Sequence, residues 1–256
     1  MATYSLSQDV DPGAERLRLE RIQDYQDQPT IRYLERIGVA AGWHCMDVGA
    51  GAGSIARWLA ERVGPTGSVL ATDLETGMLH GAANLTVKRH DIRTDEMPDQ
   101  EFDLVHARLL LDHLPDRDAV LERMVHATRP GGRVMLGDID FRTLQLSHDD
   151  PEFGRIKDIF LATTRDTGWD PGLGPATPGM LEDSGLADVE AECWQSYHRG
   201  SGPAPQIMIA TFQRLRPAML AHGATAEQLD RACALLADPK TGFYGPTIWT
   251  AWGTRQ

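Results

Sequence analysis

Two groups of residues carry types and spacings that can do chemistry. The first is the stretch DVGAGAG, in which Asp47 is followed by Gly49, Gly51 and Gly53, with Asp73 closing the next apolar run. Glycines on the way from a strand into a helix let a ligand approach bare backbone N–H groups. A dinucleotide fingerprint needs G-x-G-x-x-G, but counted from Gly49 its third glycine position is Ser54. A carboxylate just ahead of the turn repels a pyrophosphate and suits an ammonium group. A carboxylate at the end of the second strand faces the ribose of a bound nucleoside in open α/β sheets. The second group is LLLDHLPD, where Asp112 and His113 follow a strand-like segment. An imidazole takes a proton near neutral pH, so His113 is a candidate general base. It is equally readable as the partner of Asp112 in a structural pair.

An ammonium at Asp47, a ribose at Asp73 and no pyrophosphate describe S-adenosylmethionine better than NAD. Asp138 and Asp140 end a later strand, RVMLGDID. They read either as hydrogen-bonding groups for an acceptor or as Mg²⁺ ligands. No full ligand set accompanies them, so no metal is expected. SHDD (147–150) reads as a capped helix start. Trp169, Trp194, Tyr197 and Phe212 read as an aromatic acceptor pocket or as core. His106 and His126 read as structural, and His90 as a wall beside Asp91.

These residues need a scaffold that alternates strand and helix. CMDV, SVLATD, LTVKRHD, FDLVHA and RVMLGDI read as five strands, with RPGG a turn into the fifth. Ile55, Leu59 and Val63 mark one intervening helix, and Leu121, Met124 and Val125 another that Asp118 can cap. The pattern implies a doubly wound, mostly parallel α/β sheet. Before it, Asp11-Pro12 signals a helix start, and Pro29 is expected to interrupt the helix. After it, Phe153 to Thr163, Leu181 to Leu186, Pro203 to Leu220 and Ala226 to Ala237 read as helices. ADVEAECW and TIWTAWG read as the last two strands.

The order of these landmarks resembles the class I, seven-stranded S-adenosylmethionine-dependent methyltransferases, small-molecule type. DVGAGAG matches that family's acidic-x-Gly-x-Gly-x-Gly loop. ATD, RHDI, FDLVHARLLLDHLPD and RPGGRVMLGDI follow in family order, from Trp43 to Phe141, and MLEDSGLADVEAE extends the likeness more loosely. The resemblance implies a Rossmann-like sheet of order 3-2-1-4-5-7-6 in one domain over residues 1–256. Residues 1–40 would form an N-terminal helical lid and 41–140 the cofactor-binding core. Residues 141–256 would form the acceptor side, with a helical insertion at about 200–245 as a cap or a homodimer contact. It further implies that Gly49, Ala50 and Gly51 pass under the methionine part, with Gly53 completing the loop. Asp47 would reach the ammonium and Asp73 the ribose. Leu74 and Ile92 would sandwich adenine, Asp91 would accept from its amino group, and Ala107 and Arg108 would line the sulfonium side. By its position on the N-terminal helix, Tyr25 reads either as closing over the carboxylate or as a packed core tyrosine, and with His113 and Asp138 it completes the candidate catalytic set.

The expected reaction is methyl transfer to a small acceptor, an aromatic or heterocyclic secondary metabolite. The alternatives are a cyclisation on the same fold and a silent cofactor-binding partner. The formal charge of −12 argues against a nucleic-acid surface and against anionic lipid. The sequence has no apolar run of about 18 residues and no leader pattern. The three cysteines have no paired spacing, so reduced buried thiols in a cytoplasmic protein are expected.

Overall fold

The structure, a computed structural model, describes residues 12–256. The expected cap Asp11 lies outside them. The chain divides into two compact units. The first comprises Gln26–Asp138, Gly174–Glu192 and Trp249–Gln256. The second comprises the chain up to Tyr25, Ile139–Leu173 and Cys193–Ile248.

Strands β1 (His44–Val48), β2 (Ser68–Asp73), β3 (Leu85–Arg89), β4 (Phe102–Arg108) and β5 (Thr128–Asp140) are joined by β7 (Ala187–Trp194) and β10 (Thr247–Thr254). Together they form one seven-stranded sheet of order β3-β2-β1-β4-β5-β10-β7. With β10 as seventh strand and β7 as sixth, this is the expected order. The pairs β2–β3, β1–β2, β1–β4 and β4–β5 are all parallel. Almost every residue of β1 and β4 is buried, as in strands covered on both faces. The edge strand β3 instead carries exposed Lys88 and Arg89.

Helix α2 (Ser54–Val63) buries Ile55, Leu59 and Val63. Helix α3 (Arg117–Ala127) buries Val120, Leu121, Met124 and Ala127. Its cap position is Asp116, with no side-chain cap bond, so Asp118 lies inside the first turn rather than capping it.

Pro29 and RPGG also depart from expectation. Pro29 does not interrupt α1, which runs from Pro12 to Arg36. The ring removes one backbone bond. The Thr30 hydroxyl makes a local one to the Gln26 carbonyl at 2.9 Å, and fully buried Tyr33 and Leu34 anchor the turn beyond. RPGG is not a free turn but part of β5, where pairing with β4 slips between Phe102↔Thr128 and Leu104↔Arg133. Gly131 N–H donates to the Arg255 carbonyl and Arg255 N–H to that of Gly132. A side chain on Gly132 would fall 2.9 Å from the carbonyl oxygens of Arg129 and Phe102, so only glycine fits.

In the second unit, α4 (Pro151–Asp166), α6 (Pro203–Ala221) and α7 (Ala226–Ala237) pack on one another. Asp150 caps α4 by accepting from Phe153 N–H, and Thr225 with Gln228 forms a capping box on α7. The short helix expected from Leu181 is α5, which starts earlier, at Thr177. Strands β6 (Gln145–Leu146), β8 (Tyr197–Arg199) and β9 (Gly242–Tyr244) form a small antiparallel sheet of order β6-β9-β8. Of the cysteines, Cys45 is buried, but Cys193 is exposed.

Candidate functional site

The glycine loop leaves β1 in the first unit and is pinned to the end of β2. Gly49 and Ala50 both donate backbone N–H bonds to the Thr72 carbonyl, at 2.8 and 2.9 Å. Gly49, Gly51 and Gly53 all have left-handed backbone, with φ of 69°, 58° and 78°. Their surroundings differ. A Cβ on Gly53 would lie 2.7 Å from Leu79 Cδ2, and one on Gly49 would lie 3.2 Å from Leu110. A Cβ on Gly51 would meet nothing within 4 Å. Gly51 is therefore where the loop opens.

Asp73 stands across this opening. Its Oδ2 accepts the Gly51 N–H at 2.9 Å and its Oδ1 the Glu75 N–H at 3.0 Å. The Leu74 N–H also faces this carboxylate, and an ionised carboxylate offers about four acceptor positions, so some acceptor capacity remains. Burial pushes the Asp73 carboxyl above its ordinary range. Asp47 is almost wholly buried, and its Oδ1 accepts from His106 Nδ1 at 2.7 Å. Asp91 accepts the Arg93 guanidinium on both oxygens, which holds its carboxyl below the usual range. Ile92 and Ala107 are buried and Leu74 is half-buried. The Leu74 carbonyl accepts Arg89 Nε.

Arg108 is tied down rather than free. Its guanidinium donates to Thr30 Oγ1 at 3.0 Å and to Asp27 Oδ1 at 2.9 Å. Asp27 also accepts the hydroxyl of Ser54, the first residue of α2. This link from α1 to β4 and to the end of the glycine loop escaped the sequence reading. Asp27 lies far from its partners along the chain and belongs to no motif. His106 and Arg93 were likewise missed as the partners of Asp47 and Asp91. The only signal for Arg93 was its spacing of two from Asp91.

Past β4 the backbone is strained. Leu109 takes φ of 53°, uncommon for a non-glycine residue and typical of functional turns. Its N–H bond to the Gly137 carbonyl holds it there. The chain then makes a 3₁₀ turn, Leu111–His113. His113 Nε2 lies 3.6 Å from Oδ1 of buried Asp112. Asp138, on β5, is 1% exposed.

The second unit holds Tyr25. Its hydroxyl shares a 2.6 Å hydrogen bond with Ser196 Oγ, and its ring stands edge-on to Trp194 and His198. Burial pushes its pKa up to about 12. The four expected pocket aromatics do not stay together. Trp169 and Phe212 pack around Phe160, Trp194 lies against Tyr25, and exposed Tyr197 stacks with Tyr244. Asp140 accepts both the backbone N–H and the guanidinium of Arg142. Among the described residues, no group of three or more His, Cys, Asp or Glu side chains could hold a metal ion, and no helix is long and apolar enough to cross a membrane.

A family described as a methyltransferase domain matches residues 45–132, which contain the loop, Asp73, Asp91 and His113. Methyltransferase GfsG of Streptomyces halstedii is 27% identical over 226 residues, covering 80% of this chain and 73% of that protein. The ubiquinone/menaquinone biosynthesis C-methyltransferase UbiE of Cupriavidus necator is 31% identical over 111 residues. That alignment covers 40% of this chain and 46% of the relative, so the chain spans just under half that relative's length. Among solved structures, Haemonchus contortus phosphoethanolamine N-methyltransferase 2, bound to phosphomonomethylethanolamine and S-adenosylhomocysteine, superimposes with a TM-score of 0.57. At 19% identity, over 90% of this chain and 53% of that one, this is a likeness of fold.

Proposed function

We propose that the chain is a class I S-adenosylmethionine-dependent methyltransferase, a reading supported by the methyltransferase-domain match and the likeness to methyltransferase GfsG, and that it transfers a methyl group from S-adenosylmethionine to a small-molecule acceptor. The observation that carries this reading is the open backbone at Gly51 facing a half-buried carboxylate with acceptor capacity to spare. The residues fit such a ligand. Gly51 leaves room for the methionine part, and any side chain there would intrude. Asp73 keeps acceptor capacity beyond its backbone bonds, which suits a ribose hydroxyl. Asp47 offers an anion for the ammonium. Leu74 and Ile92 supply apolar walls for adenine. Asp91 is largely engaged by Arg93 and has one acceptor position left for the adenine amino group. In this reading Ala107 and Arg108, at the end of β4, line the methyl-donor side.

When bound, the sulfonium supplies an already electrophilic methyl group, so the chain's task is alignment and exclusion of water. His113 takes the proton from an acceptor that must lose one, with Asp112 Oδ1 3.6 Å from its Nε2. Asp138, buried at the end of β5, is the second candidate for hydrogen bonding to an acceptor. With a pKa near 12, Tyr25 keeps its proton at neutral pH, which leaves proton removal to His113. The acidic charge of the chain supports a small acceptor over a nucleic acid. Aromatic or heterocyclic acceptors with an ionisable proton are the class we favour.

The test is turnover of the isolated chain on a panel of such acceptors, read by product mass. A gain of one methyl with release of S-adenosylhomocysteine supports the reading. Conversion of an acceptor without either would assign the fold to a different reaction. No binding of S-adenosylhomocysteine in a calorimeter would refute the cofactor assignment itself.

A further inference from the structure

The Asp47–His106 pair is built into the middle of the sheet. Asp47 on β1 is in register with Ala71 on β2 and His106 on β4, and His106 with Met135 on β5. Residues in register on parallel strands share a face, so Ala71, Asp47, His106 and Met135 form a row across it. The two flanking residues are apolar and fully buried. Each polar member of the row therefore has the other as its cross-strand partner. A carboxylate only accepts, so the 2.7 Å contact places a proton on His106 Nδ1. His106 Nε2 is buried and has no hydrogen-bond partner among the described residues. A second proton there would leave an N–H of a cation unsatisfied in an apolar setting, which costs more than a bare lone pair. The neutral Nδ1–H imidazole fits this environment, and it leaves the negative charge on Asp47.

We propose that His106 is a positioning residue for cofactor binding: its Nδ1–H fixes Asp47 through Oδ1 and turns Oδ2, still anionic, toward the ammonium of the ligand. The inference rests on the cofactor reading above and adds the residue that makes the motif carboxylate usable. An unanchored carboxylate in this row would have no polar neighbour across the strands to orient it.

The experiment is calorimetric titration of S-adenosylhomocysteine into the wild-type chain, His106→Leu and His106→Asn, with folding checked by circular dichroism. The asparagine amide can donate from nearly the position of Nδ1, whereas leucine cannot. Losing a hydrogen bond to a charged group predicts a roughly 10- to 100-fold weaker Kd for His106→Leu, and recovery to within about five-fold of wild type for His106→Asn. A folded His106→Leu protein with wild-type affinity overturns the proposal, as does a His106→Asn protein as weak as His106→Leu. A wild type that does not bind overturns the cofactor reading and the proposal with it, an outcome distinct from both.

If His106→Leu does not fold, nitrogen-15 histidine spectra of the wild type decide. An Nδ1–H, Nε2-bare tautomer for His106 whose resonances move when S-adenosylhomocysteine is added supports the proposal. An Nε2–H tautomer, or resonances unmoved at saturation, overturns it.

Discussion

Gly51→Ala separates folding from binding. Gly51 has φ of 58°, and its Cβ position meets no atom within 4 Å. Within the protein the substitution therefore costs only the left-handed backbone, about 1–2 kcal/mol. For a chain of this size that lowers Tm by roughly 2–8 °C. With ligand present, the same methyl enters space the methionine part should fill. Forcing a methyl into filled space costs about 1–3 kcal/mol, or roughly 5- to 150-fold in Kd. Gly53→Ala is the control. Its φ of 78° carries similar strain, but its Cβ would lie 2.7 Å from Leu79 Cδ2 instead of in the opening. The two variants should dissociate: Gly53→Ala loses more Tm and less affinity, and Gly51→Ala the reverse. Thermal melts and calorimetry with S-adenosylhomocysteine measure both. A folded Gly51→Ala protein that binds as tightly as wild type would refute the assignment of the loop.

His113→Ala should lower kcat by roughly 10²–10⁴ while leaving the Kd for S-adenosylhomocysteine unchanged; a wild-type kcat with the true acceptor would make the histidine structural. Burial raises the Asp73 pKa, and only the ionised carboxylate can accept two hydroxyl hydrogens. Cofactor affinity should therefore fall on acidification, beginning above the ordinary carboxylate range near about pH 4, and Asp73→Asn should flatten that profile in a calorimetric series from neutral to mildly acidic pH. Asp150 caps α4 and pairs with Arg231, so Asp150→Ala should cost about 1–2 kcal/mol in denaturant unfolding. The Arg231 guanidinium holds the Asp150 pKa down to about 2. Its contribution is thus present above about pH 4 and lost as pH falls toward 2, and the stability gap between wild type and variant should close across that window.

The sheet was legible because β1, β2, β4 and the body of β5 are apolar runs, the edge strand β3 alternates around Leu85 and Val87, and the helices between them repeat with helical period. Tertiary packing decided what local pattern could not. Pro29 reads as a helix break, yet buried Tyr33 and Leu34 carry α1 through it. RPGG reads as a turn, yet the chain's last residues pair with it and draw it into β5. Strands β6, β8 and β9 are two or three residues long, too short for any alternation to show. Within the site, the glycines and carboxylates stood in a motif that sequence alone displays. Their protein partners did not, because Asp27, Arg108, His106 and Asp47 are joined only by the fold.

Those partners change how the motif's acids should be ranked. Sequence spacing treats Asp47, Asp73 and Asp91 alike, as carboxylates waiting for a ligand. Each already spends part of its acceptor capacity on the protein. Asp73 accepts only from uncharged backbone N–H groups, those of Gly51, Glu75 and Leu74. Asp47 gives Oδ1 to His106. Asp91 gives two positions on Oδ1 and one on Oδ2 to Arg93, the most of the three. A ligand that replaces none of these bonds gains most from Asp73, whose partners are uncharged N–H groups. It gains least from Asp91, whose charge is already balanced by a guanidinium. If that ordering holds, Asp73→Ala should weaken S-adenosylhomocysteine binding by about 1.5–3 kcal/mol, the usual worth of hydrogen bonds to a charged group. Asp91→Ala should weaken it by less. An Asp91→Ala protein that loses more affinity than Asp73→Ala would mean that the ligand displaces Arg93 on binding, and that the hydrogen bonds described for Asp91 are not those of the complex.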